Sequence, residues 1–275
     1  MKISRFRELH RQGCFVIPNP WDRGTALYLK HLGFPALATT SGGFAFSRGL
    51  PDGGHVPVAQ VLEHILEMVN ATDLPVNADF EAGYAPDARG VAENVTKCVA
   101  TGVAGLSIED ATGDPARPLF ELAEALDRLS AARAAIDASG TGVLLTARAE
   151  CYLTGHADPF PESLRRLKAY ADAGADVLFS PGVVLPEQIE ALVAAVGPKP
   201  FNLIVTRNTG LTIKDIAALG VRRISVGSSL ARAAWQGFMT AAEGIAVDGN
   251  FRALENLAPY PKINNFFKNV LKTTT

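Results

Sequence analysis

The sequence is poor in cysteine and carries almost no net charge. Its 275 residues include three cysteines, Cys14, Cys98 and Cys151, far apart and without a C-x-x-C pair. Neither a disulfide framework nor a structural zinc site has the residues it needs. A formal net charge of −2 gives no electrostatic case for nucleic acid or an anionic membrane as a partner. Reduced, scattered cysteines favour a cytoplasmic protein.

Long apolar runs are also missing. No segment approaches the roughly 18 apolar residues that span a bilayer. The first residues, MKISRFRELHRQG, are polar throughout and lack the apolar core of a secretory signal. The G-x-G-x-x-G fingerprint of dinucleotide-binding sheets is absent as well. With 48% hydrophobic and 20% charged residues, we expect a soluble globular protein with a sizeable core.

What the chain does contain is a regular series of short apolar runs, each followed by a segment with helical spacing. Near-continuous apolar runs of this kind are typical of strands buried on both faces, as in parallel sheets. We count eight of them: residues 14–18, 35–40, 75–79, 105–110, 143–148, 176–181, 200–205 and 222–227.

Eight βα units in one chain predict a (β/α)₈ barrel, a fold of typically about 250 residues. A doubly wound open sheet is the alternative. We expect one barrel domain over residues 1–275, with 228–275 as a C-terminal helical extension. Its aromatic and aliphatic side chains favour packing on a neighbouring subunit over packing on its own barrel.

Charged residues collect at the C-terminal ends of the predicted strands, where barrels of this class place their chemistry. Asp52 follows the second run, Asp79 and Glu81 the third, Glu109 and Asp110 the fourth, and Arg148 and Glu150 the fifth. A single acid at such a place is more simply a solvated residue or a helix cap, as we expect of Asp87 and Asp110. Repetition over four adjacent strand ends favours a functional site instead.

Several carboxylates without matching lysines predict a divalent cation. Hard oxygen donors with no His or Cys nearby favour Mg²⁺, with Mn²⁺ as the alternative, and some acids would bind through water. Side chains two apart on a strand share a face, so the cation would offset the repulsion between Asp79 and Glu81. A barrel without metal would require four strand-end acids to be coincidental.

Two further features suit an anionic ligand. Ser41, Gly42 and Gly43 open a glycine-rich loop over 41–54 whose N–H groups could cradle a carboxylate or phosphate, although an ordinary βα turn explains them equally well. Arg148 suits a planar anion or a developing enolate, and it would also form salt bridges with neighbouring acids.

On these residues the sequence resembles the isocitrate lyase/phosphoenolpyruvate mutase superfamily, over essentially the whole barrel. Five pieces carry the resemblance in this order: SGG at 41–43, GLPD at 49–52, ADFEAGY at 78–84, SIED at 107–110 and TARAE at 146–150. The superfamily's usual D-x-D-x-G-Y has Glu81 as its second acid here, as in a bacterial subgroup distinct from the best-known lyases and mutases.

The resemblance implies a set of roles and a substrate class. Mg²⁺ would be surrounded, directly or through water, by Asp52, Asp79, Glu81 and Glu109; the catalytic set would be Arg148, Asp52 and Glu109; and the substrate would be held by Ser41, Gly42, Gly43 and Arg148. Members act on small 2-oxo acids or dicarboxylates such as pyruvate or oxaloacetate. Their C-terminal helices commonly swap between subunits, which implies a homodimer or homotetramer.

One departure separates this chain from the named activities. Isocitrate and methylisocitrate lyases carry a K-[KR]-C-G-H loop, and phosphoryl mutases a lysine-bearing loop, where this chain reads EDATGDPARPLFE over 109–121. The expected function is a Mg²⁺-dependent carbon–carbon lyase that works through a metal-stabilised enolate. The alternatives are P–C bond chemistry of the phosphonopyruvate type and a 2-oxo acid binding protein with little turnover. Gly113 and two prolines favour a mobile lid over 109–121.

Overall fold

The structure is a computed structural model that describes residues 1–274. Strands and helices alternate along most of the chain. The strands are β1 (Phe15–Ile17), β2 (Leu37–Ala38), β3 (Val76–Asp79), β4 (Gly105–Glu109), β5 (Leu144–Arg148), β6 (Val177–Phe179), β7 (Phe201–Ile204) and β8 (Arg223–Ser225). The helices are α1 (Lys2–Leu9), α2 (Arg23–His31), α3 (Ser41–Ser47), α4 (Val58–Ala71), α5 (Ala88–Ala100), α6 (Leu122–Ala138), α7 (Pro159–Asp172), α8 (Pro186–Val196), α9 (Ile213–Ala218), α10 (Ser229–Ala246) and α11 (Tyr260–Thr274).

The eight strands form one parallel sheet that closes on itself. Their order is β1-β8-β7-β6-β5-β4-β3-β2, so the first and last strands of the chain are neighbours. Beside the gap between β1 and β2, the Ala38 N–H donates to the Pro18 carbonyl over 3.1 Å. Each of the eight predicted apolar runs contains a strand. The (β/α)₈ barrel is confirmed, and the open sheet is excluded.

The barrel is closed by apolar packing at its N-terminal end. Phe6 of α1 packs with residues from the first positions of several strands, among them Phe15, Leu144 and Val177. A side chain at Gly105 would meet the Phe6 ring at 2.8 Å, which shows how tightly that ring fits against β4. Because this end is plugged, the interior is accessible from the C-terminal ends of the strands.

A second, larger core lies between the strands and the surrounding helices. It contains the apolar stripes of α4, α5 and α6, such as Ile65, Val95 and Leu129. Asp87 caps α5 by accepting from the Gly90 N–H over 2.8 Å, as the sequence predicts. Gly174 follows the end of α7 with a φ of +98°, a left-handed conformation that suits glycine.

The chain divides into two compact units, Met1–Ser228 and the part that begins at Ser229. The second unit consists of α10, a short 3₁₀ turn at Arg252–Leu254 and α11. Subunit swapping, and the description of 1–275 as one domain with an extension, stay predictions. Among the residues described, we find no helix with the length and apolar character to cross a membrane.

Candidate active site

Ser41, Gly42 and Gly43 start a helix; the prediction of a loop there is wrong. Thr40 caps α3 by accepting from the Gly43 N–H over 3.2 Å, a bond that favours helix initiation. The Ser41 N–H donates to Asp79 Oδ2 over 3.0 Å. Of the three N–H groups, Gly42 is therefore the one left for a ligand. A side chain at Gly42 would meet Asp52 Oδ2 at 2.7 Å, so only glycine allows that carboxylate to lie against α3.

Arg148, at the end of β5, binds three carboxylates at once. Its guanidinium lies 2.6 Å from Asp79, 2.9 Å from Glu109 and 2.8 Å from Glu150. These bonds tie the ends of β3, β4 and β5 together. The predicted salt bridges to Glu109 and Glu150 are both present. Surrounding negative charge raises the pKa of Arg148 despite its burial, so the group stays cationic.

Glu81 lies in a turn beyond β3, not on the strand. The strand ends at Asp79, and Glu81 and Tyr84 adopt left-handed φ values of 42° and 53°, which are uncommon for residues with a side chain. The prediction that Asp79 and Glu81 share one strand face is therefore wrong, because β3 ends before Glu81. Asp79 lines the barrel cavity, whereas Glu81 lines the neighbouring cavity. Tyr84 donates its hydroxyl to Glu81 over 2.8 Å.

The other predicted acids complete this region. Glu109 borders the same cavity as Glu81, and Asp52 lines the barrel cavity with Asp79 and Arg148. Burial, reinforced by nearby carboxylates, raises the pKa of Asp52 and Glu109 and that of Glu81 to about 7. The raised values have a common cause, which is negative charge held out of water with too little positive charge nearby.

These residues fit a hydrated Mg²⁺ better than a bare ion. Within the described part of the chain, no three His, Cys, Asp or Glu side chains converge closely enough to hold a metal together. Mg²⁺ usually takes one or two carboxylates and keeps several waters, so sparse direct contact suits it. The donors are all oxygens, and the acids outnumber the one guanidinium that pairs with them, which is the charge balance a cation would correct. Asp52, Asp79, Glu81 and Glu109 are the residues that would hold it.

Two buried arginines support the site, and both escaped the sequence analysis. Arg128 of α6 donates to the carbonyls of Ala82, Ala85 and Pro86 over 2.7–3.2 Å. It thereby fixes the turn that carries Glu81. The missed signal is its position, because Arg128 falls within the apolar stripe of α6, where a charge needs a buried partner.

The second is Arg166 of α7, which donates a hydrogen bond to Asp110. The prediction of Asp110 as a helix cap is wrong. Its carboxylate accepts from Arg166 at 2.9 Å, from the Tyr170 hydroxyl at 2.6 Å and from the Glu150 N–H at 2.8 Å. Because Glu150 in turn binds Arg148, this network fixes the position of the Arg148 guanidinium.

The segment after β4 folds back on itself. Ala111 and Leu119 form an antiparallel bridge, and the Thr112 N–H donates to the Pro118 carbonyl over 3.1 Å.

Cys151 is buried, which raises its pKa to about 11; this supports packing and not proton transfer as its role. His156 accepts from the Asp158 N–H over 3.1 Å, within its own loop.

Similarity to known proteins identifies the family of this chain. The family description phosphoenolpyruvate phosphomutase matches residues 6–246. The chain belongs to the isocitrate lyase/phosphoenolpyruvate mutase superfamily. A Burkholderia cenocepacia protein provisionally assigned as a lyase or mutase has a crystal structure with a TM-score of 0.90 and 43% identity, over 97% of this chain and 95% of that one.

Other superfamily members carry named activities. Escherichia coli 2-methylisocitrate lyase is 32% identical over 162 residues, 56% of this chain and 53% of that protein. A phosphonopyruvate hydrolase crystallised with oxalate and Mg²⁺ has a TM-score of 0.85 and 25% identity, over 100% of this chain and 97% of that one. The expectation of an enzyme from this superfamily of lyases and mutases is confirmed.

Proposed function

We propose that the protein is a Mg²⁺-dependent lyase that breaks or forms a carbon–carbon bond next to the 2-oxo group of a small acid. The observation that carries the proposal is the 2.6 Å pair between Arg148 and Asp79 at a cavity of about 210 Å³ that also contains Ser41 and Gly42. Acidic and basic groups thus line one cavity, beside the N–H of Gly42.

Each group has a task in such a reaction. When the bond between the carbon beside the 2-oxo group and its outer neighbour breaks, the electron pair stays on the 2-oxo fragment as an enolate. The other fragment leaves as CO₂, or as a carbonyl compound whose hydroxyl proton is lost. Arg148 would stabilise the oxygen that gains the charge, and Gly42 would donate its N–H to the substrate carboxylate. When bound, Mg²⁺ supplies Lewis-acid polarisation of the carbonyl oxygen. Asp52, Asp79, Glu81 and Glu109 would hold the cation, and Asp52 and Glu109 would also shape the electrostatics around the reacting atoms.

Phosphonate chemistry is the weaker candidate because the loop over 109–121 offers it little positive charge. Arg117 is the single basic residue of that loop. Its guanidinium is paired with Glu124 at 3.1 Å and lies over the Phe120 ring. The Arg117 guanidinium therefore contacts α6 and its own loop. A phosphonate would need a cation that faces the cavity.

We further propose a cytoplasmic homo-oligomer, a dimer or tetramer, that binds small acids and neither nucleic acid nor membranes. The small net charge of −2 supports the choice of partner. Exposed apolar side chains beyond Ser229, including Phe238 and Phe251, support association with a second copy.

Calorimetric titration of oxalate and pyruvate, with and without Mg²⁺, tests the proposal. The wild-type protein should bind both only with the metal, and Asp79→Asn should abolish binding. Asp127→Asn is the matched control, since Asp127 is an exposed acid on α6. Binding followed by turnover of a 2-oxo acid or dicarboxylate supports a lyase, and binding without turnover of any of these acids supports the binding-protein alternative. Equal binding without Mg²⁺ contradicts the proposal.

A further inference from the structure

The middle of the barrel interior is polar, where barrels of this fold normally pack large aliphatic side chains in layers. Six inward positions on five strands carry polar groups, which we call the polar layer: Asn77, Ser107, Thr146, Asn202, Arg223 and Ser225. All six are less than 10% exposed. The layer lies between the apolar plug around Phe6 and the acids at the strand ends.

Arg223 is the only charged member of the polar layer, and its partners are neutral. It donates to Asn202 Oδ1 over 2.7 Å and to Thr146 Oγ1 over 3.1 Å, and it faces His10 Nε2 at 3.4 Å. Nδ1 of His10 lies 2.8 Å from the Phe6 carbonyl, so its N–H points there and Nε2 accepts from Arg223. These bonds use three of the five guanidinium N–H groups.

Within the part of the chain that the structure describes, the charge of Arg223 has no counter-ion. Among the described residues, none of the ion pairs includes it, and burial alone lowers its pKa to about 9. By contrast, Arg148 and Arg166 are each paired with carboxylates. A buried cation without a partner is unfavourable, and departures of this kind are expected at functional sites.

The polar layer opens into the same cavity as the acids. Arg223, Asn202 and Ser225 line it together with Asp79 and Arg148. Asn77 also lines this cavity, and its Oδ1 has no hydrogen-bond partner although the residue is 4% exposed. Among the described residues, the cavity is therefore lined by an acceptor without a donor, Asn77 Oδ1, and by a positive charge without a counter-ion, Arg223.

From these observations we infer that Arg223 and the polar layer form a binding subsite for a second carboxylate of the substrate. Arg223 contacts Thr146, two residues before Arg148 on β5. Two residues of a parallel strand span roughly 6–7 Å, so the subsite lies about that far below Arg148. A linear acid with carboxylates at both ends would place one at Arg148 and Gly42 and the other at Arg223. This deepens the proposed function, on which it rests for the binding of the first carboxylate, and it names a dicarboxylate as the substrate class.

Two probes test the subsite: malate and 2-hydroxybutyrate, which share a head group and a chain length but differ in whether the far end is a carboxylate or a methyl group. In calorimetry with Mg²⁺, the wild-type protein should bind malate about tenfold or more tightly than 2-hydroxybutyrate, the range expected of charged hydrogen bonds. Arg223→Met should remove this preference and leave the affinity for 2-hydroxybutyrate unchanged. Arg89→Met, at an exposed arginine of α5, should keep it.

The outcomes separate the subsite from a structural role and from the proposed function. Equal wild-type affinity for both acids overturns the inference, as does an Arg223→Met variant that weakens both alike. If that variant does not fold, a crystal structure of the wild-type malate complex decides: a carboxylate within about 3.2 Å of the guanidinium supports the subsite, and any other position overturns it. Oxalate, too short to reach Arg223, reports on the proposed function alone. If the wild-type protein shows no Mg²⁺-dependent binding of oxalate but still prefers malate, the proposed lyase is contradicted and the subsite is supported.

Discussion

At the scale of single residues, Glu81 combines a left-handed backbone with a buried carboxylate. Its φ of 42° takes it out of the strand and into the turn held by Arg128. Glu81 is 9% exposed. Burial, together with the negative charges of Asp79 and Asp52, raises the pKa of its carboxyl group to about 7. A carboxyl group with such a pKa is half protonated near neutral pH, when it is needed as an anion to hold a cation.

Metal affinity should therefore depend on pH through Glu81. A proton and the cation compete for the same oxygens, so Mg²⁺ affinity should rise as the pH increases from 6 to 8. Glu81→Gln should bind Mg²⁺ more weakly and show a shallower rise, because it has no proton to lose. Calorimetric titration of Mg²⁺ at several pH values measures both effects. Glu93→Gln, an exposed acid on α5, is the control, and an unchanged slope in Glu81→Gln would contradict a role for Glu81.

The free energy of unfolding of the metal-free protein should fall as the pH rises, whereas the affinity for Mg²⁺ should increase. The folded-state pKa of Glu81 is above the unfolded value of 4.5, so its contribution to the free energy of unfolding is present below pH 4.5 and is lost as the pH rises through about 7. Deprotonation at neutral pH thus destabilises the apo protein, and bound Mg²⁺ would offset that loss.

Sequence patterns predicted the strand-end charges and the pairing of Arg148 with Glu109 and Glu150, but they missed the buried arginines and the position of Glu81. The acids and Arg148 are visible because they interrupt apolar runs at strand ends. The separation of Glu81 from Asp79 into different cavities depends on two left-handed residues, which no strand pattern predicts. Arg223 is hidden for another reason, since it lies inside an otherwise ordinary strand run and its environment is made by residues far away in sequence.

At the scale of elements, α6 holds the turn after β3 through one side chain. Arg128 donates to three backbone carbonyls of that turn, and its guanidinium lies 4.3 Å from the centre of the Phe120 ring. The turn has two residues in left-handed conformations, each of which costs of order 1 kcal/mol or more and persists only where neighbours fix it. Arg128 is thus a positioning residue for Glu81.

Replacing this arginine should affect both stability and metal binding. Arg128→Met leaves three partly buried carbonyls without their donor, so we expect a loss of about 3 kcal/mol in the free energy of unfolding and roughly tenfold weaker Mg²⁺ binding. Urea denaturation and calorimetry measure the two quantities. Arg133→Met on the same helix removes a partly exposed pair with Asp137 and Asp176. It should lower stability less and leave Mg²⁺ affinity unchanged; equal effects of both variants on Mg²⁺ would contradict the positioning role.

The start of α3 shows what element prediction misses. Ser41, Gly42 and Gly43 have weak helix propensity, because glycine loses more backbone freedom on folding than other residues. The Thr40 cap and the Ser41 bond to Asp79 outweigh that preference, and the second of these is a tertiary contact. The strands were easier to predict because each is buried on both faces and reads as a continuous apolar run.

At the scale of the whole molecule, the cavity and the exposed apolar surface belong to different units. All residues that line the barrel cavity lie between Ile17 and Ser228. One exposed apolar face lies in the second unit, where α10 exposes Trp235, Phe238 and Met239 at helical spacing. Spacing of three and four residues places these side chains on one face, and contiguous exposed apolar faces mark association sites.

Oligomer formation and ligand binding should therefore be separable by mutation. Phe238→Lys puts a charge at the centre of the apolar face, so it should lower the molar mass measured by light scattering after size-exclusion chromatography. Gln236→Lys adds the same charge next to that face, where Gln236 bonds to Thr240, and it should leave the mass unchanged. Because the cavity is lined from one chain, Mg²⁺-dependent oxalate binding should survive dissociation in Phe238→Lys. If oxalate binding is lost together with the oligomer while the barrel stays folded, the cavity depends on a neighbouring subunit and the separation of the two roles is wrong.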